Sequence, residues 1–417
     1  MRYILYIIIV AIDLYAIFLH NPSSKTFEIK APVMNCFYES SMALEYLNTL
    51  RTKAGMPPYT TGAVLTKAAQ NHSDYLVAHH QNGHFEEPGL SGFTGKMPHE
   101  RAIAAGYRVA MLTENVSVNA LDYKDSVDGL FAAVYHRFGF LDFQSDEIGI
   151  GVSQDPDDTD YNAFVYDMGV KALNDACSGP DYDGAERYAY KVCVDPAHKI
   201  RESHLQQILN ASKVASKPIV IYPYENQTDV PPVFYDETPD PLPGYEVSGF
   251  PVTVQFNDYY IKGAAVHAIS LLGPDGKELP SKILYAGNDP HHMLKKGYFA
   301  LLPLHRLAYG TQYKVVLDYS SGGKHTRKVW HFKTRELPEP AITIAGDEKH
   351  VTIEPHRTYT LYFKPRNPHD RLTSLHFPAD LKVRFLDLNT VQIRLQLDNR
   401  APFTLKSGDR RVDFSVR

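Results

Sequence analysis

His84, Glu114 and His136 are the residues whose types suggest chemistry. A neutral imidazole offers a nitrogen lone pair and a carboxylate offers oxygen. Two histidines and a glutamate therefore make a ligand set for a divalent ion, Zn²⁺ first, with a coordination position left for water. Water on such an ion ionises near neutral pH, which brings hydrolysis within reach. Hydrolysis also needs a positioned base and a partner for the developing oxyanion, and Glu86 and Glu100 are the acids to consider as base. The competing reading is a buried His–Glu hydrogen-bond cluster that ties cleft walls together without metal. Asn115 and Arg137, each next to one of the three, are expected to line the same cleft.

Residues so far apart in sequence meet only if a folded domain brings them together. Ala43, Leu47, Leu50 and Ala54 share one face of a helix that stops at Gly55 and Pro57-Pro58. A second helix, starting near Thr61, carries Leu65, Ala69, His72 and Leu76 as its apolar stripe and breaks at Asn82-Gly83, delivering His84 into a loop. His72 on that stripe reads as a hydrogen-bonded core histidine, and His79 and His80 as solvated or helix-end groups. The Gly-rich loop from Pro88 to Gly95 spells neither a hydrolase elbow nor a phosphate cradle and reads as a rim. A short helix opens at Pro98 and ends at Gly106. A fourth, with Val127, Leu130, Phe131 and Val134 on one face, is expected to end near His136-Arg137. Strands follow at Ile148–Val152 and Ala163–Tyr166, and the acidic turn between them reads as solvated.

Here a resemblance enters. Tyr46-Leu-Asn-Thr-Leu-Arg-Thr-Lys-Ala-Gly55 looks like the opening helix of the CAP superfamily, the cysteine-rich secretory, antigen 5 and pathogenesis-related-1 proteins, in its bacterial SCP-like form. Gly83-His84, Ala105-Gly-Tyr107, Glu114-Asn115-Val116, His136-Arg137 and Gly149-Ile-Gly151 follow in the family's order. Thr113 stands where the family usually has Gly, and Tyr135-His136 lacks the Ser-Pro-Gly common before the bacterial histidine. The resemblance spans about residues 36–175 and implies an α-β-α sandwich whose cleft holds the histidines and the glutamate, often with a divalent metal.

The remainder is β-rich. Strands are expected at Val252–Phe256, Val266–Leu271, Tyr313–Tyr319 and Lys328–Lys333, with tight turns at Pro274-Asp-Gly276 and Ser321-Gly-Gly323. Leu307 and Gly310-Thr-Gln-Tyr313 resemble the tyrosine corner of an immunoglobulin-type sandwich, with Trp330 and Phe332 on its core face. From about Pro338, alternation at Val391, Ile393, Leu395 and Leu397 marks a second, smaller all-β unit. The expected class is therefore α+β. Its parts are a CAP-like domain over 34–175, a cysteine loop and hinge over 176–216, an Ig-like β-sandwich over 217–336 and a small all-β domain over 338–417. The Pro-rich stretch 231–243 is read as an edge connection of the sandwich.

Composition narrows the setting. A length of 417 residues needs more than one core. The net charge of -5 provides no electrostatic footprint for nucleic acid. Met1-Arg2 precedes an apolar run over residues 3–19, so residues 1–20 read as an export signal or a retained membrane anchor, and the protein as secreted or periplasmic. Export permits a disulfide, and Cys177 and Cys193 bracket a turn that such a bond would close, leaving Cys36 as a small buried residue. Three classes of function follow: an exported module binding an envelope lipid, glycan or protein, a metal-dependent hydrolase of envelope material, and a purely structural envelope component.

Overall fold

The computed structural model describes residues 33–398 and 401–417, so the N-terminal apolar run lies outside the described residues. The architecture is α+β and falls into two compact units. One holds residues 33–234 and Ser248–Glu336, the other Tyr235–Val247 and Leu337–Arg417. Among the described residues, no helix is long and apolar enough to cross a membrane.

The first unit opens with α1 (Cys36–Ala54), which starts where the Asn35 side chain accepts the Tyr38 amide and stops at Gly55, with φ 108°. Then come β1 (Thr60–Thr61), α2 (Ala63–His79), α3 (Pro98–Ala105), β2 (Thr113–Val118), α4 (Tyr123–Ala132), α5 (Val134–Phe140), β3 (Glu147–Gln154) and β4 (Asn162–Gly169). The strands form one sheet in the order β1-β3-β4-β2. Helix α2 covers one face. On the other, Ser126 of α4 hydrogen-bonds the Tyr166 hydroxyl, and Phe140 of α5 meets the Tyr166 ring edge-on. This is an α-β-α sandwich, and cover on both faces explains why β3 and β4 are buried almost throughout.

The Gly149-Ile-Gly151 sequence has a steric cause. A Cβ on Gly149 would sit 2.0 Å from the backbone of Leu65 and Thr66, and one on Gly151 2.3 Å from that of Ala69. Helix α2 thus rests directly on the backbone of β3. That contact fixes the height of α2 over the sheet, and with it His72 and the start of the His84 loop.

The fourth helix differs from expectation. It ends at Ala132, Ala133 takes an extended conformation (φ -74°, ψ 125°), and His136 lies within the separate helix α5. Arg137 explains the break: its Nε donates to the Phe131 carbonyl at 2.5 Å, which occupies one of the acceptors a helix end leaves open.

Residues 176–216 pack onto this domain instead of forming a hinge. Helices α6 (Lys171–Ser178) and α7 (Glu202–Ala215) place Leu173, Leu205 and Ile208 in one core with Leu65, Ala68, Ala102 and Tyr107. Cys177 and Cys193 are disulfide-bonded within it, and Cys36 is half-buried with a free thiol.

Two four-stranded sheets make the β-sandwich, with strands Val252–Phe256 and Tyr298–Pro303 in one and Gln312–Ser321 and Lys324–Thr334 in the other. Trp330 is fully buried and donates to the Pro223 carbonyl. The Tyr313 hydroxyl accepts the Ala308 amide at 2.8 Å, the bond of a tyrosine corner. This sandwich packs against α5 and the residues after it: Gln255 donates to the Leu141 carbonyl at 2.9 Å and Lys295 pairs with Asp142.

In the second unit, Leu361, Phe363, Ile393, Leu395, Leu405 and Phe414 form the core between a four-stranded and a three-stranded sheet. Part of the Pro-rich stretch belongs here and not to the sandwich. The Tyr235 hydroxyl donates to Asp387 at 2.8 Å, the Val247 amide to the Pro368 carbonyl at 2.8 Å, and Arg371 pairs with Glu246 at 3.0 Å.

Substituting Gly149→Ala should force α2 off the sheet and lower stability by about 3 kcal/mol or more, at or beyond the upper end for overpacking. Thermal denaturation followed by circular dichroism checks this, with Gly129→Ala, where an added Cβ meets nothing within 4 Å, as the tolerated control.

Candidate functional site

Helix α2 ends at His80, which is left-handed (φ 48°), and Gly83 (φ 106°) turns the chain so that His84 begins the loop to α3. The loop folds around a buried acid. One Glu86 oxygen lies 3.0 Å from His72 Nδ1, and the other accepts the Thr94 amide at 2.7 Å. The second ring nitrogen of His72 faces the Gly83 carbonyl at 3.0 Å, so this fully buried histidine ties both ends of the turn to α2. Glu100 is committed as well, accepting the Met97 amide at the start of α3.

Glu114 stands at the centre. Its Oε1 accepts from His84 Nδ1 at 2.9 Å and its Oε2 from Arg101 Nη2 at 2.6 Å. Arg101 is 1% exposed; its guanidinium also donates to the His84 carbonyl at 3.1 Å and lies 3.7 Å from Glu86. Burial alone would raise the Glu114 carboxyl. The hydrogen bond from His84 and the charges of His72 and Arg101 outweigh it and hold the group below the ordinary range. Glu86 is lowered in the same way, burial being overcome by His72, the Thr94 amide and Arg101. Because an ionised carboxylate only accepts, His84 must carry a hydrogen on Nδ1, and its side chain is partly exposed.

Asp167 lies directly across from Glu114 in the antiparallel β2–β4 register, on the same face of the sheet. It is fully buried, and neither oxygen receives a hydrogen bond. Burial and the neighbouring Glu114 charge raise its carboxyl well above the ordinary range, against the pull of Arg101. The two facing carboxyls are thus pushed in opposite directions, Asp167 up and Glu114 down.

The strand that carries Glu114 also serves the other wall. Asn115, the next residue, points to the opposite face, where its Nδ2 donates to the His136 carbonyl at 2.9 Å. The rings of His84 and His136 stack with centroids 6.2 Å apart. The structure thus brings His84, Glu114 and His136 together, but Glu114 stands behind His84 with both oxygens engaged. Arg137, expected along the cleft, is fully buried against the β-sandwich instead. Glu114 orients one of the two imidazoles through its hydrogen bond to His84. Among the described residues no group of three or more His, Cys, Asp or Glu side chains is arranged to hold a metal ion. Phe85, the residue after His84, exposes apolar surface, as does Phe93 further along the same loop. Cavities of about 450 and 630 Å³ lie elsewhere, along the 185–206 segment and beside the disulfide.

Sequence reasoning missed Arg101 and Asp167. Both carried a signal: Arg101 precedes the core residue Ala102 on a short helix, and Asp167 continues an apolar strand beyond Tyr166.

Residues 44–168 match the family model described as the cysteine-rich secretory protein family, CAP. Among solved structures, an outer surface protein from Borrelia burgdorferi is 17% identical over 32% of this chain and 92% of that one, with a TM-score of 0.28. An extracellular protein containing an SCP domain from Bacillus anthracis str. Ames is 16% identical over 32% of this chain, with a TM-score of 0.28, and this chain spans 44% of its length. The N-terminal eight Ig domains of Down Syndrome Cell Adhesion Molecule are 14% identical over 48% of this chain and 24% of that chain, with a TM-score of 0.16. No curated protein matches the chain.

A buried acid with a raised carboxyl binds its proton more tightly folded than unfolded, so Asp167 lowers stability as pH climbs from the ordinary carboxylate range through its folded value. Glu114 and Glu86 act in the opposite sense, and their contribution is lost as pH falls below that range. Asp167→Asn, which supplies a permanent donor, should therefore stabilise the protein by at least about 1 kcal/mol at pH 9 and by less at pH 5. Denaturant melts at the two pH values test it.

Proposed function

We propose that this protein, whose residues 44–168 form a CAP domain, is an exported binding module that engages an envelope lipid, glycan or protein through the rim of its His84–His136 cleft. The observation that carries this reading is the commitment of the acids. Glu114 is held by His84 and Arg101, Glu86 by His72 and the loop amides, and Glu100 by the helix start. The His84 side chain is partly exposed, and its loop also exposes the rings of Phe85 and Phe93, apolar groups suited to contact.

In this reading His84 and His136 would hold a divalent ion, Zn²⁺ first, with Glu114 fixing the His84 ring and partner or water atoms completing the shell. Bound there, the ion would supply a Lewis-acid anchor for a ligand oxygen. Export is supported by the apolar N-terminal run and by the Cys177–Cys193 disulfide, a bond that persists in oxidising compartments. The run over residues 3–19 would serve as a signal or as the membrane attachment. The alternative, a hydrolase of envelope material, requires a base that Glu86 and Glu100 do not offer while so bonded.

Calorimetric titration of Zn²⁺ into the chain and into its His84→Ala/His136→Ala variant tests the site. One ion per chain, lost in the variant, is expected. Equal binding in both proteins, or none in either, would overturn the metal part of the reading.

A further inference from the structure

The two residues that flank His136 both end in the β-sandwich. The Tyr135 hydroxyl donates to Asp289, and Asp289 is 2% exposed, with a carboxylate that also accepts the amides of His291 at 3.1 Å, Met293 at 2.6 Å and Leu294 at 2.8 Å. The Arg137 guanidinium donates to the Pro251 carbonyl at 2.7 Å and lies 3.3 Å from Thr253 Oγ1. It sits over two aromatic rings of the sandwich region, 5.0 Å from the centroid of Tyr222 and 4.8 Å from that of Phe250. Helix α5 is only seven residues long, so these two anchors and the Asn115 bond fix most of its length.

We infer that the β-sandwich is a working wall of the cleft, with Tyr135, Arg137, Asp289 and Thr253 acting as positioning residues that set where His136 stands relative to His84. A spacer domain would contact its neighbour through exposed, exchangeable side chains. Here a buried cation and a buried carboxylate take part of their hydrogen bonding from across the boundary, and each would lose that part if the domains parted. The inference rests on reading His84 and His136 as the binding site, and it extends that reading by making the appended domain a determinant of the site's geometry. The sandwich loop at 289–294 then supplies the register: moving it moves α5, and moving α5 changes the separation of the two imidazoles while leaving His84, held by Glu114 on the other face of the sheet, in place.

The test uses the full chain labelled at histidine, with ring resonances assigned by His84→Ala and His136→Ala. Tyr135→Phe removes one oxygen, Asp289→Asn removes the charge, and Arg335→Ala breaks a different contact of the same interface, the 3.4 Å pair with Asp128. Tyr135→Phe and Asp289→Asn should shift the His136 ring resonances, leave those of His84 near their original positions, and weaken Zn²⁺ binding about tenfold, which is about 1.4 kcal/mol. Arg335→Ala should do none of these. Unmoved His136 resonances in Tyr135→Phe would overturn the inference, as would equal shifts of both histidines. Should the original chain bind no Zn²⁺, the metal reading fails while the ring resonances still decide the positioning claim. Should Asp289→Asn fail to fold, the milder Tyr135→Phe carries the decision.

Discussion

A guanidinium removed from water must find its charge and its hydrogen-bond acceptors inside the protein, and Arg101 is such a group. Its pairing with Glu114 is the contact from which the cleft is built. The same guanidinium takes the His84 carbonyl and faces Glu86, while Glu114 takes His84 Nδ1. Helix α3, the loop after α2 and strand β2 therefore meet at a single charged cluster. A buried ion pair of this kind adds little net stability compared with an apolar replacement, but losing one member leaves the other stranded, so the cluster works as a registration device. Asp167 faces it from across the sheet, its carboxyl pushed up while that of Glu114 is held down.

The consecutive order of Glu114 and Asn115 has a simple geometric meaning. Side chains on a strand alternate in direction, so the glutamate serves the wall that carries His84 and the asparagine the wall that carries His136. One strand thus couples both walls through adjacent residues. The second wall then depends on the appended sandwich through Tyr135 and Arg137, which joins that domain to the geometry of the site.

Much of this was legible in the sequence. The helix stops at Gly55 and Gly106, the loop delivery of His84 and the core position of His72 follow from turn chemistry and helical period. The tyrosine corner and Trp330 follow from spacing and strand alternation. What stayed hidden depends on contacts distant in sequence. Arg137 looked like a cleft residue because it follows His136; only the folded position of Pro251 and Thr253 shows where its charge is met. The break at Ala133 was invisible for the same reason, since no glycine or proline marks it and the Arg137–Phe131 contact explains it. Residues 176–216 read as a hinge from their polar composition, whereas a few apolar side chains on α6 and α7 suffice to dock them. The Pro-rich stretch carries no periodicity that could assign it to one β unit or the other.

The measurement that tests this account most directly is a double-mutant cycle on Arg101→Met and Glu114→Gln, read by equilibrium unfolding of the full chain. Each single substitution should cost about 3–5 kcal/mol by stranding its buried partner, and the double variant should cost far less than the sum. Additive costs would mean that the two groups act independently, and the cleft would then have to be explained without this pair at its centre.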